Sequence, residues 1–166
     1  MGIGLTFEKC ETRRRVIYIK KDALRDYATD AFIFWARHGC PTYDEAVERI
    51  RKRALGRTWG IDPQKAKQYA DAEIEKARAG LEDIRACEAV FKKLNGSGRE
   101  LVCSAVRAVY MADPWGKVKR GEYSARALRF ALDVPLSERQ VYYYLEMARD
   151  LFAVERGLRI DDGGEW

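Results

Sequence analysis

Two adjacent side chains near the C-terminal end of this chain, Arg139 and Gln140, are of the types that pair with the edges of DNA bases. An arginine forks onto guanine and a glutamine onto adenine, each through two hydrogen bonds in the major groove. Ser137, Glu138, Tyr142 and Tyr143 stand around them. A tyrosine hydroxyl can also bind phosphate. Gln140, Arg139 and Tyr143 are the candidates for base contacts. Lys117, Lys119, Arg120, Arg126 and Arg149 are the candidates for phosphate contacts.

The elements that would position these groups are two helices and a tight turn, from Ser124 to Phe152. In a helix-turn-helix the two backbones come close, so the first helix needs a small residue near the turn. Ala131 fills that place. Phe130, Val134, Leu136, Val141 and Tyr144 recur where apolar groups must fill the angle between the helices. Ser137 can cap the second helix, with Gln140 three residues on, the S-x-x-Q form of a capping box. The reading helix then spans 137–152 and can run on to Arg156, before Gly157. A glycine is usual in such a turn, but here Pro135 takes its place and ends the first helix by a different geometry. Helical corners that bind nothing occur in any small helical domain, so the motif alone does not decide the matter.

Upstream, Arg13 to Arg15 form a basic cluster, followed by Val16 to Ile19 with strand propensity but no evident partner. This stretch reads either as an arm that touches phosphate or as a solvated lead-in. A helix is expected over about 21–38, stopped by Gly39 with Pro41 beyond. Thr42 and Glu45 make a T-x-x-E capping box for a helix to about Leu55. That helix carries a run of basic residues, Arg49 to Arg57, suited to phosphate, to an acidic protein surface or to plain solvation. Asp62-Pro63 starts what reads as one long central helix over 62–95, with a kink expected at Gly80 and a stripe of small residues that wants a partner helix. Asn95-Gly96-Ser97-Gly98 ends it as a flexible joint. The expected fold class is all-α. A helical region of unknown role covers 1–80, the DNA-binding module 81–159, and a frayed acidic tail 160–166.

The chain has 166 residues and a net charge of +5. Residues 1–60 hold 13 basic and 8 acidic side chains and residues 117–159 hold 9 and 6, so both ends are basic and the middle is neutral. That distribution suits anionic contacts at either end. No apolar run approaches the roughly 20 residues of a membrane span, and the first 15 residues lack the apolar core of a signal peptide. A cytoplasmic protein is expected. The cysteines, Cys10, Cys40, Cys87 and Cys103, form no C-x-x-C pair and read as reduced thiols. His38-Gly39-Cys40 offers two ligands that nothing nearby completes, so no metal site is expected. There is one histidine, no glycine-rich phosphate loop with its lysine, and no carboxylate constellation. Neither an enzyme nor a cofactor is expected.

The order of elements in the C-terminal half resembles phage-encoded transcriptional regulators of the ArpU and RinA type. The residues that carry the likeness are Ser124, Ala131, Leu136, Ser137, Arg139, Val141 and Tyr142, within DIRACEAVFKKLN, LVCSAVRAVY and SARALRFALDVPLSERQVYYYLEMARDLFA. It covers about residues 82–156. The resemblance implies a C-terminal module similar to the DNA-binding region 4 of sigma factors. It also implies a phage or prophage regulator that binds a promoter and controls late genes. Double-stranded DNA and RNA polymerase are the partners that go with it. A second expectation is a phage packaging or structural protein like a small terminase subunit, which would form oligomers through the helix 62–95 and the apolar first helix.

Overall fold

The computed structural model describes residues 16–161, and the caps and breakers in the sequence set most of its elements. Helix α1 (Lys21–Arg37) buries Leu24, Ala28, Ala31, Phe32 and Trp35 on one face. It stops where Gly39 and Cys40 both take positive φ, 78° and 52°. Pro41 follows, and its carbonyl accepts from the Trp35 indole at 2.8 Å. Helix α2 (Tyr43–Arg57) starts on the full Thr42–Glu45 capping box. Helix α3 (Pro63–Lys76) starts on Asp62, whose carboxylate accepts from the Gln64 amide at 3.3 Å. Helices α4 (Arg78–Gly96), α5 (Glu100–Tyr110), α6 (Glu122–Asp133) and α7 (Glu138–Arg156) complete the helical part.

The fold is all-α, with one addition. Strand β1 (Ile17–Lys20) pairs in parallel with β2 (Leu158–Asp161), Ile17 opposite Leu158 and Lys20 opposite Asp161. This is the partner that the Val16–Ile19 segment lacked in the sequence. It also takes Ile160 and Asp161 out of the expected frayed tail. The Arg13–Arg15 cluster, Cys10 and residues 162–166 lie outside the described residues.

One core joins α1 with α4, α5, α6 and α7. Phe32 sits at its centre, with ring centroids 6.1 Å from Phe91 and 5.8 Å from Phe152. Asp83 on α4 ties three helices together: it accepts from the Tyr27 hydroxyl at 2.6 Å and from Arg156 Nε at 2.8 Å. Burial, and then the Asp83 carboxylate, raise the Tyr27 phenol above its ordinary value. Helix α1 thus belongs to the same core as the helix-turn-helix.

The expected long helix 62–95 is two helices. Ala77, at φ −88° and ψ 5°, separates α3 from α4. The packing changes there: α3 lies chiefly on α2, whereas α4 packs on α2 and also on α1, α5 and α7 in the main core. Gly80 is not the break; a Cβ there would meet the Phe34 ring at 3.2 Å, so its role is close approach to α1. Cys87 and Cys103 are buried free thiols and Cys40 is exposed. Burial pushes the Cys87 thiol well up, which disfavours the reactive thiolate. Among the described residues, no helix is long and apolar enough to cross a membrane.

Candidate nucleic-acid interface

Packing fixes the corner between α6 and α7. Ala127, Phe130 and Ala131 are buried on α6, and Val141, Leu145, Ala148, Phe152 and Ala153 on α7. The small Ala131 lets the chain fold back, and its carbonyl accepts from the Leu136 amide at 2.9 Å. Val134 ends α6 at φ −105° and ψ 15°, its amide bonded to the Phe130 carbonyl at 3.1 Å. Positive φ occurs at none of residues 134–137, so this turn has no need of the usual glycine and accommodates Pro135.

Ser137 starts α7, and its hydroxyl accepts from the Gln140 amide at 3.1 Å. Only this half of the expected capping box forms; the Gln140 side chain does not return to the Ser137 backbone. Gln140 is exposed, with its amide group turned to no capping duty. Glu138, Arg139, Tyr142 and Tyr143 are exposed as well. Residues three and four apart are neighbours on a helix, so Arg139, Tyr142 and Tyr143 share one face. The opposite face is locked: Phe152 packs 5.7 Å from the Tyr27 ring and 5.8 Å from Phe32. The first two turns of α7 are thus a solvent-facing edge on a rigid support.

The basic candidates divide into two groups. Lys117, Lys119 and Arg120 are exposed in the α5–α6 loop. That loop is pinned at the start of α6, where Glu122 accepts from the Lys119 amide at 2.8 Å and donates its own amide to the Lys119 carbonyl at 3.0 Å. The Lys119 amide, and then Arg126, hold the Glu122 carboxyl below its usual range. Arg126 and Arg149 do not join the exposed group. Arg126 donates to the Val109 carbonyl at 2.9 Å and to Glu122 at 2.8 Å, which brackets α6 to the end of α5. Arg149 donates to the Tyr110 hydroxyl at 2.7 Å. It lines a groove of about 740 Å³ together with Arg25, Asp26 and Asp30, so charge there is balanced rather than basic. Residue type alone does not single out Arg129, an exposed cation on α6 with no ion-pair partner among the described residues. Its signal is its place in the repeat, turned away from Ala127, Phe130 and Ala131.

No metal-holding group of three or more His, Cys, Asp or Glu side chains occurs among the described residues. Compared with protein-family models, with curated proteins and with solved structures, the chain matches none.

Proposed function

We propose that this chain is a sequence-specific DNA-binding transcriptional regulator of phage or prophage origin, which reads promoter DNA with the helix 137–152. The observation that carries this reading is the start of α7. Arg139, Gln140 and Tyr143 are exposed on its first two turns, while Val141, Leu145 and Phe152 lock the same helix into the core. A reading helix needs both properties, since base contacts demand side chains held in register on a rigid element. Lys117, Lys119, Arg120 and Arg129 serve as the phosphate contacts that set orientation, a role that carries no sequence information. Arg126 and Arg149 serve packing instead. RNA polymerase at the promoter and a cytoplasmic setting go with this reading.

The packaging alternative rests on oligomers built along helix 62–95. That helix is broken at Ala77, and its second half buries Leu81, Ile84, Val90 and Leu94 within its own chain. The regulator reading is therefore the better supported. It is tested by sequencing the DNA that the purified protein selects from a random pool. An enriched motif is the expected result. No enrichment at low salt, with folded protein, would overturn it.

A further inference from the structure

The α2–α3 hairpin has a feature that α7 does not use. It is an arm: α2 and α3 pack chiefly on each other, and Ala54, Ala66 and Ala70, buried between them, lie outside the main core. Helix α2 extends for about 22 Å at 1.5 Å per residue. Charge is sorted along this arm. Near its base stand Asp44, Glu45 and Glu48 on α2, and Asp71, Glu73 and Glu75 on α3. Arg49 is held by the His38 carbonyl and Arg51 by Glu48. Toward the tip, residues 52–67 hold five basic side chains and one acidic one, Asp62, which is engaged as the cap of α3. Lys52, Arg53, Arg57, Lys65 and Lys67 are all exposed, and none has an ion-pair partner among the described residues. At the very tip Trp59 is 91% exposed, with Leu55 and Ile61 beside it also exposed.

We infer that the tip of this arm is a second nucleic-acid contact, which grips the phosphate backbone of duplex DNA without reading its sequence and lays Trp59 against the sugar or base surface. The inference rests on the reading of the chain as a DNA-binding protein, but places a different element on the DNA. Clustered unpaired cations release counterions when they meet phosphate, which drives such contacts. A membrane surface fits less well. Interfacial helices present one continuous apolar face, whereas here cations flank the tip on both helices and the exposed apolar side chains are confined to Leu55, Trp59 and Ile61.

The test uses the full chain and a fluorescent duplex of random sequence, with affinity followed across a range of salt. The first variant joins Lys52→Gln, Arg53→Gln, Arg57→Gln, Lys65→Gln and Lys67→Gln. Each replaces an exposed side chain, and circular dichroism checks the fold. Removing one phosphate-binding cation flattens the slope of log affinity against log salt by about 0.9. With three to five of these cations on phosphate, the variant flattens it by about 3 to 4.5, with affinity at low salt at least roughly tenfold weaker. Trp59→Ala, which removes no charge, weakens binding and leaves the slope unchanged. An unchanged slope and affinity in the five-fold variant would overturn the inference. So would Trp59-dependent binding to phosphatidylserine–phosphatidylcholine vesicles in preference to the duplex. Arg139→Ala separates the two readings. If it abolishes sequence selection while the five-fold variant binds random duplex normally, the arm proposal fails and the α7 reading stands. If no sequence is ever selected, yet the five-fold variant loses random-duplex binding, the arm stands and the α7 reading fails.

Discussion

Helix α7 is gripped by the core along most of its length, whereas the α2–α3 arm is held at its base and by its own alanines. Phe152, Leu145 and Val141 give α7 large apolar side chains to bury. Ala54, Ala66 and Ala70 give the arm only methyl groups. Their solvent-facing groups differ in the same sense. At the start of α7, single arginine, glutamine and tyrosine side chains project from a fixed frame. At the arm tip, cations are massed with little to fix them. A rigid frame with mixed donors suits discrimination between bases, and massed charge suits affinity without discrimination.

The largest test of this contrast is stability. Phe152→Ala removes a fully buried ring at the centre of the core and should cost about 3–5 kcal/mol in urea unfolding. Trp59→Ala, at a site 91% exposed, should stay within about 0.5 kcal/mol. Similar losses at the two sites would erase the distinction. The caps sharpen it next. Ser137→Ala and Thr42→Ala each remove a side-chain acceptor from a helix start and should each cost about 1 kcal/mol. Only Ser137→Ala should also reduce sequence-specific binding, because it frays the turn that carries Arg139 and Gln140. An equal reduction by both would mean that the α7 edge is not special.

The smallest effect concerns the loop before α6. The Glu122 carboxyl is held below its usual range by the Lys119 amide and by Arg126. A carboxyl lowered in the folded state contributes stability above its unfolded value, and that contribution is lost as pH falls through the folded one. The amide resonance of Lys119 should therefore titrate with a midpoint below that of an ordinary glutamate, and Glu122→Gln should remove the transition. A midpoint at the ordinary value would mean that the loop is not pinned there.

The local signals of the fold are legible in the chain. Thr42 with Glu45, Asp62-Pro63, Gly39 and Gly157 mark helix ends close to where they fall, because caps and positive-φ glycines act through neighbours in sequence. The break at Ala77 has no such mark. No glycine or proline stands at Ala77 itself, and the break falls where α3, lying on α2, gives way to α4, which also packs on α1, α5 and α7. The pairing of Ile17–Lys20 with Leu158–Asp161 is hidden for a similar reason, since it joins opposite ends of the described chain. At the candidate interface, the exposure of Arg139, Gln140 and Tyr143 follows from the helical repeat. The engagement of Arg126 with Val109 and Glu122, and of Arg149 with Tyr110, cannot be read from residue type, because a cation that braces helices and one that meets phosphate look alike in sequence.

The claim that α7 reads sequence is tested most directly by Arg139→Ala, measured on the DNA selected by the wild-type protein and on a shuffled duplex of the same composition. Removing one base-pairing side chain should weaken binding to the selected duplex by about 1–3 kcal/mol, roughly five- to 150-fold, with much less change on the shuffled one. Equal losses on the two duplexes would contradict the account.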